Sequence, residues 1–450
     1  MSIQIKSLSD FQVIERELLV EKISFLGIPA WGAMRVYLYY AALNLKSVER
    51  PSITWQNAVK SLFRQWWRIF QRHKYWVLTS SDQRKEIDGR WVNALDSNDD
   101  LNNNALFIEL PNPTLKPNPK SKKVVARIWF YLFEELMGRL VTPFVSDTGQ
   151  KEYDEVCAKL NLSANFLSFK RKFVGQFYAT YFMAKWQKPR IVFLTTHYTN
   201  MPRIAALKSL KIPVVEIQHG LMSVSHPGYN PIKCDPKLYP DVILTYGETE
   251  LSMLKQSEMK DDVQFAAIGH FYIDHLRMAN LSESGIPKKE KRLRICFTAQ
   301  DAVGVEFIDW LNELQQLLPD VELVLIPRRK PFKWYIENGL KAGISYFKAD
   351  TYHIIRESDI HSTVYSTCAV EALAFNVPNI LLNLGEQAEQ HFGNLRFPAT
   401  PTWIVNSPAE FVEVLSSAKF KDRAHVANGE VFFKSGFKQN LDQFLLDREV

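Results

Sequence analysis

The middle of the chain alternates short apolar segments, rich in β-branched residues, with helical patterns. The predicted strands cover 75–79, 190–195, 212–217, 241–247 and 265–270, and the predicted helices cover 162–186, 202–210 and 248–256. Strand, helix and strand in this order form βαβ units, whose parallel strands send their carboxyl ends to one edge of the sheet. The pattern therefore predicts an α/β fold in which His197 and His219 emerge at the same edge.

The same alternation restarts after a segment at 282–292 that is rich in Ser, Gly, Pro and Lys. Further strands are predicted at 293–298, 321–327, 358–365 and 377–382. Because the chain has 450 residues and single cores stop growing near about 250–300 residues, we expect two domains. Their predicted bounds are 1–283 and 292–430, and a last helix within 431–450 is expected to cross back to the first domain.

Three segments of the first domain show other patterns. Residues 96–104 are predicted as an Asn/Asp-rich connection, and 124–144 as one aromatic-rich helix in the core. At 55–72, aromatic and aliphatic residues at helical spacing oppose a basic face formed by Lys60, Arg64, Arg68 and Arg72. Such a helix suits the interface of an anionic membrane, although a helix packed on its own domain with a solvated basic face fits equally well.

Composition and charge narrow the classes of function. The 46% of hydrophobic and 23% of charged residues are those of an ordinary globular protein, so extensive disorder is not expected. A net charge of +6 is modest for this length, suits phosphorylated substrates or an anionic membrane face, and gives no reason to expect nucleic-acid binding. No signal-like amino terminus or run of about 18 apolar residues is found. We therefore expect a cytoplasmic protein, peripheral at the inner face of the cytoplasmic membrane.

The four cysteines are widely scattered, without paired spacing or the spacing of a metal knuckle. This distribution argues against a disulfide scaffold and a zinc site, and it fits a reducing compartment. We expect no bound metal.

Candidate chemistry is densest where the strand at 212–217 ends, because ligands of open α/β sheets bind at the carboxyl ends of strands. His219 is expected to be a general base or to orient the acceptor, with Glu216 tuning it or stabilising an oxocarbenium-like centre. If the reaction retains configuration, the nucleophile would be Glu216, Asp235 or Asp241. The catalytic candidates are Glu216, His219, His226, Asp235 and Asp241, and the expected acceptor contacts are Arg84, His197 and Tyr229. The alternative is a polar loop whose histidines only cap and pack.

A second group of candidates lies at 358–382, where a strand, Ser366-Thr367, a helix and another strand follow one another. Backbone N–H groups at a helix start favour an anion, so the two hydroxyl residues there predict a phosphate site. Glu371 would then accept from ribose hydroxyls, and His270 and Arg328, at the ends of other strands, would assist. A capped helix and a solvated basic turn are the alternatives.

These segments resemble bacterial GT-B glycosyltransferases of capsule or lipopolysaccharide biosynthesis. The resemblance covers roughly 190–385 and rests on 216–220, 226–229, 241–247, 268–270 and 358–382. It implies two Rossmann-like domains facing a cleft, with the acceptor mainly against the first and the nucleotide donor against the second, and it implies no metal or other cofactor. Where that family often has glycine between helix and strand, this chain has Asn376, which tolerates left-handed backbone.

The resemblance implies transfer of a sugar from a nucleotide donor to a lipid-linked or polymeric glycan. The His226-Pro227 loop is similar to loops of transferases that use CMP-activated nonulosonic acids, so we expect a donor of that kind. The alternatives are a CDP-alcohol phosphotransferase of the teichoic-acid type, a 2-epimerase of the same architecture, and a non-catalytic scaffold in polysaccharide assembly.

Overall fold

The computed structural model describes residues 5, 7–43, 63, 65–80, 84–87, 89–110, 124–220, 222–223, 226–233, 235–278, 286, 292–300, 303–395, 400–421 and 429–448. The chain forms two compact units. The first comprises Met1–Tyr246, Glu250–Ile268 and Lys438–Val450, and the second comprises Gly247–Thr249 and Gly269–Phe437. The observed division between Ile268 and Gly269 therefore precedes the predicted bounds at 283 and 292.

The first unit is built on a parallel sheet of seven strands in the order β12-β11-β10-β9-β3-β6-β7. The strands are β3 (Tyr75–Ser80), β6 (Ala105–Leu110), β7 (Val124–Ala126), β9 (Ile191–Leu194), β10 (Val214–Ile217), β11 (Val242–Thr245) and β12 (Gln264–Ala267). Every residue of β9, β10 and β11 is buried, which explains their nearly unbroken apolar sequences. After β3 the chain first adds β6 and β7 on one side of it, and later adds β9 to β12 on the other side. The strand order therefore reverses between β3 and β9.

Helices and two small antiparallel sheets complete this unit. The helices are α1 (Leu8–Glu17), α2 (Trp31–Ala42), α3 (Asp99–Asn104), α4 (Ile128–Val141), α5 (Gln150–Lys159), α6 (Phe166–Gln187) and α7 (Met201–Ser209). The small sheets join β1 (Ser24–Phe25), β2 (Ile28–Pro29) and β8 (Asp147–Thr148), and β4 (Lys85–Ile87) with β5 (Arg90–Val92). One apolar core packs α1 and α2 against α5, α6 and the sheet, and another fills the space between the sheet, α4 and α7.

The second unit contains a parallel sheet of five strands in the order β14-β13-β15-β16-β17. Its strands are β13 (Arg294–Thr298), β14 (Glu322–Ile326), β15 (Ile360–Thr363), β16 (Asn379–Leu382) and β17 (Thr402–Val405). The remaining helices among the described residues are α8 (Glu248–Leu254), α9 (Phe271–Met278), α10 (Gly304–Leu317), α11 (Phe332–Glu337), α12 (Thr351–Arg356), α13 (Cys368–Ala374), α14 (Gln387–Phe392), α15 (Pro408–Ser416), α16 (Ala418–Lys421) and α17 (Phe437–Leu446). Between α13 and β16, Asn376 has a φ of 59°, which confirms the predicted left-handed turn.

Two predicted elements are corrected. Residues 124–144 are not one helix, because Val124–Ala126 pairs with β6 as a buried edge strand before α4 begins. Residues 96–104 are not an irregular connection, since Asn93 and Asn98 each cap a short helix by accepting backbone N–H groups. Of the predicted helix at 55–72, half of the residues lie outside the description, and Trp66–Phe70 forms a 3₁₀ helix.

Within the described part of the chain, we find no helix that is both long and apolar enough to cross a membrane.

Candidate active site

Glu216, the third residue of β10, is the centre of a buried polar cluster in the first unit. Its side chain is fully buried. One carboxylate oxygen accepts from Nδ1 of His197 at 2.6 Å, and the other accepts from the Tyr229 hydroxyl at 2.8 Å. A buried carboxylate with partners on both oxygens orients those partners. The structure thus pairs Glu216 with His197 and Tyr229, and its expected roles toward His219, as a nucleophile and at an oxocarbenium-like centre stay predictions.

His197 lies in the loop after β9, at the place where the strand order reverses. Asn200 closes this loop by donating to the carbonyl oxygen of Thr196 at 2.7 Å. The Oδ1 atom of Asn200 accepts from Arg127 and Arg203, each at 2.8 Å. The buried Nε2 of His197 has no hydrogen-bond partner among the described residues. Since Nδ1 donates to Glu216, Nε2 is the nitrogen that can accept a proton.

The loop from His226 to Tyr229 closes the cluster with rings that pack against each other at a tilt. The ring centres of His226 and Tyr198 lie 5.1 Å apart, and those of His226 and Tyr229 lie 5.0 Å apart. A Cβ atom at Gly228 would lie 2.4 Å from Cδ1 of Tyr198, so this close approach requires glycine. Burial, with the nearby His219, His197 and Arg35, lowers the pKa of His226 to about 3. His226 is therefore neutral near pH 7, and its Nδ1 accepts from the Gly228 N–H at 3.0 Å.

The first two helices hold this loop in place, a connection that was not predicted from the sequence. Arg35 on α2 donates to the carbonyl oxygen of Pro227 and, at 3.4 Å, to that of Asn230. Its other nitrogen contacts are to Glu15 on α1, at 2.7 and 2.8 Å. Trp31 also donates to Glu15, at 2.6 Å. Both charged side chains are almost fully buried, so the ion pair connects α1 and α2 to the loop that carries His226 and Tyr229.

A second buried carboxyl group supports the strand end that carries His219. Gln218 donates to the carbonyl oxygen of Gly220 at 2.9 Å and to Oε1 of Glu250 at 3.1 Å, and it accepts from the N–H of Tyr246 at 2.6 Å. Oε2 of Glu250 has no hydrogen-bond partner among the described residues. Burial, opposed by the hydrogen bond from Gln218, raises the pKa of Glu250 from 4.5 to about 7.

We expect Glu250→Gln to be more stable than the unchanged protein at pH 8, by roughly 1–3 kcal/mol. Because folding raises this pKa, the protonated Glu250 side chain stabilises the folded state, and this contribution is fully present below pH 4.5. It is lost as the pH rises through about 7. At pH 5 the carboxyl group is protonated in the folded chain, so the difference should shrink. Urea unfolding at both pH values measures it, with Glu248→Gln, an exposed position of the same helix, as control. A difference independent of pH would contradict this explanation.

The donor-site candidates lie in the second unit. Oγ of Ser366 accepts from the N–H of Cys368 at 3.3 Å, whereas Thr367 makes no side-chain cap of α13. Glu371 accepts from the hydroxyl of Tyr352 at 2.9 Å, and Arg328 donates to the buried Gln300 at 2.5 Å. Of the two hydroxyl residues that were predicted to cap this helix, Ser366 alone accepts a backbone N–H among the described contacts. Nδ1 of His270, which also belongs to this unit, accepts from the N–H of Ile273 at 3.2 Å.

Three further candidates do not join the cluster. Arg84 is buried between Asp96, at 2.7 Å, and Glu109, at 2.6 Å, so a structural ion-pair network occupies the proposed acceptor contact. Asp241 precedes β11 at the amino edge of the sheet, where it accepts from the Val214 N–H at 2.8 Å and pairs with Lys208 at 3.2 Å. Asp235 caps a 3₁₀ helix through the N–H of Lys237. These contacts give all three side chains structural partners away from Glu216, and the catalytic or acceptor roles expected of them stay predictions.

Among the residues that the structure describes, no group of three or more His, Cys, Asp or Glu side chains could hold a metal ion.

Four residues around the cluster were not predicted from the sequence: Glu15, Arg35, Tyr198 and Glu250. A usable signal existed for two of them. Arg35 interrupts the otherwise uncharged helix Trp31–Ala42, and Glu15 follows Phe11 and Ile14 on the buried face of α1. Charged residues on apolar helix faces are rarely buried unless they are paired.

Comparison with solved structures identifies the fold. CalG4, the calicheamicin glycosyltransferase, matches 84% of this chain and 98% of its own at 11% identity, with a TM-score of 0.50. The UDP-GlcNAc 2-epimerase of Neisseria meningitidis matches 83% of this chain and 99% of its own at 14% identity, with a TM-score of 0.48. S. aureus MnaA matches 84% of this chain and 97% of its own chain at 12% identity, with a TM-score of 0.49. At these identities the likeness to CalG4 shows the fold alone: the chain has the α/β GT-B fold, with two Rossmann-like units.

No protein-family model matches the sequence, and no curated protein matches it.

Proposed function

We propose that this protein is a glycosyltransferase that moves a sugar from a nucleotide donor to a glycan acceptor. The observation that carries the proposal is the cluster of Glu216, His197, Tyr229 and His226 near the carboxyl edge of the first sheet, where the strand order reverses. Ligands of open α/β sheets bind at this kind of position. The GT-B fold, shared with a glycosyltransferase of 11% identity, is compatible with it.

In this proposal His219 is the general base for the acceptor hydroxyl. It follows β10 and is half-buried, so it combines a fixed backbone with access to solvent. The neutral His226 uses Nδ1 as an acceptor, which leaves the proton on Nε2 as a donor to a substrate oxygen. Glu216 and Tyr229 would fix the orientation of His197 and of the 226–229 loop. Proton transfer by a positioned histidine contributes about 10²–10⁴-fold to a rate.

The donor is proposed to contact the second unit through Arg328, Ser366, Thr367 and Glu371. A guanidinium group and hydroxyl groups suit a phosphate, and Glu371 suits the hydroxyls of a ribose. The finer proposal is a CMP-activated nonulosonic acid as donor and a lipid-linked or polymeric capsule or lipopolysaccharide glycan as acceptor. It is supported by the resemblance of the His226-Pro227 loop to loops of transferases for such donors.

A thermal-shift screen against CMP, CDP, UDP, GDP and their sugar conjugates tests the donor. We expect CMP and its nonulosonic acid conjugates to raise the melting temperature. We expect His219→Ala to keep this shift but to lose about 10²-fold or more in turnover, because the general base is removed while the donor contacts stay. His275→Ala, a half-buried histidine of the second unit, is the matched control.

Each other outcome has a definite meaning. A shift with UDP or GDP alone would discard the CMP donor and keep the transferase. A shift with CDP-glycerol and phosphoalcohol transfer would establish the phosphotransferase, whereas conversion of a nucleotide sugar without any acceptor would indicate an epimerase. If no nucleotide shifts the melting temperature, the scaffold becomes the leading function.

A further inference from the structure

The described chain concentrates its exposed apolar side chains on one part of the first unit. More than half of the large hydrophobic residues that it exposes lie in 63–70, in α4 with the turn after it, and in α6. Phe144 is 88% exposed and Trp186 is 64% exposed. Folded proteins rarely leave a contiguous apolar area of this kind in water unless it binds something.

The backbone contacts place these segments side by side. A Cβ atom at Gly175 of α6 would lie 2.2 Å from the carbonyl oxygen of Glu134 on α4. A Cβ at Gly138 of α4 would lie 2.7 Å from that of Arg171 on α6. The residue number on α6 decreases from 175 to 171 while that of its contact on α4 increases from 134 to 138. The two helices therefore pack antiparallel and in close contact. Their exposed sides therefore form one surface, which we call the helix-pair surface.

The apolar part of this surface runs along α4. Leu132, Leu136 and Leu140 are exposed at intervals of four residues, and Phe144 continues the line beyond the helix end. The opposite side of α4 buries Phe130, Glu134 and Gly138. The leucines thus form a regular stripe that no described residue covers. From the sequence, the aromatic-rich helix at 124–144 was expected to be a core element.

The 3₁₀ helix Trp66–Phe70 adjoins the same surface. The ring of Trp66 lies 6.2 Å from that of Trp129 in the first turn of α4. The side chain of Gln187, next to Trp186 at the end of α6, donates to the carbonyl oxygen of Ile69. Trp66, Trp67 and Trp186, the tryptophans that the described residues expose most, therefore lie at one end of the helix-pair surface.

The charge of the surface is positive. Residues 163–190 contain six Lys and Arg residues and no Asp or Glu. Of the six, Lys170 is buried and paired with Asp147, whereas Lys172, Lys185, Lys188 and Arg190 are exposed. Glu135, the exposed acidic residue of α4, pairs with Arg139 at 2.8 Å and with Arg171. A second copy of this chain would place like charges opposite one another, whereas an anionic surface would neutralise them.

We propose that the helix-pair surface binds the interface of an anionic lipid bilayer, with α4 and α6 lying on the membrane. Leucine and phenylalanine side chains would enter the acyl boundary, the tryptophans would sit at the headgroup level, and the cations would contact lipid phosphates. The inference does not depend on the proposed transferase activity. It extends the membrane contact predicted for 55–72 to two helices outside that segment.

Flotation of the full-length protein with vesicles tests the proposal. We expect binding to phosphatidylglycerol mixed with phosphatidylcholine, and little binding to phosphatidylcholine alone. Leu136→Ser should weaken binding roughly tenfold, because it removes an apolar side chain from the lipid boundary. Ile336→Ser, at a similar exposure of 54% in the second unit, should not change it. Replacing Lys172 and Lys185 together by Glu should weaken it at least about tenfold.

Thermal unfolding of each variant shows whether it is folded, and light scattering gives its oligomeric state. Failure of the unchanged protein to float with anionic vesicles would overturn the proposal. So would binding that survives both Leu136→Ser and the double charge reversal. A dimer that dissociates in Leu136→Ser, without any binding to vesicles, would make the surface an interface between copies of the chain.

Discussion

Glu216→Gln is expected to reduce turnover of the proposed transfer by about 10²–10⁴-fold while the protein stays folded. The carboxylate accepts from His197 and from Tyr229, one on each oxygen. A glutamine has a single acceptor oxygen, so it can satisfy one partner and turns its amide donor toward the other. His197 or Tyr229 would then leave its position, and the loop containing His226 would lose a fixed contact.

Kinetics with the nucleotide sugar that stabilises the protein measure this effect. Because the donor is proposed to bind the second unit, kcat should fall and its pH profile should change, whereas KM for the donor should stay nearly constant. Glu109→Gln, at a buried carboxylate paired with Arg84, is the matched control and should keep kcat. Unchanged kcat in Glu216→Gln, or a change confined to KM for the donor, would show that the cluster does not serve the reaction.

Arg35→Met is expected to lower the free energy of unfolding by about 3–5 kcal/mol. The substitution leaves the Glu15 carboxylate buried with only the indole N–H of Trp31 as a remaining described donor. It also removes the donor to the carbonyl oxygens of Pro227 and Asn230. Breaking a buried ion pair costs more than the pair contributes, because one charge stays uncompensated.

Urea unfolding of a double-mutant cycle separates the two effects. Arg35→Met with Glu15→Leu should regain most of the lost stability, because no unpaired charge remains. Turnover should stay low in the double variant, since the 226–230 loop still lacks its donor. Arg16→Met, an exposed arginine of α1, should change stability by no more than about 0.5 kcal/mol. A double variant as unstable as Arg35→Met would refute the ion-pair explanation.

The positions of several candidate residues in the sheet could be predicted from the sequence, but their hydrogen-bond partners could not. His219 and His197 follow neighbouring parallel strands, as the βαβ pattern predicted. The pairing of Glu216 with His197 depends on the loop conformation after β9, which no periodicity encodes. No described atom lies within 4 Å of a Cβ built at Gly220, whereas at Gly228 packing against Tyr198 requires glycine.

The sequence by itself determined the two parallel sheets, because buried strands must be apolar along their length and the helices between them amphipathic or apolar. It also determined which polar residues end those strands. Only the tertiary structure decided that Arg35 and Glu15 hold the loop at Pro227. It also decided that Arg84 forms ion pairs with Asp96 and Glu109, and that α4 exposes a leucine stripe. These facts depend on contacts between residues far apart in the chain, and the energy of a buried charge is set by such neighbours.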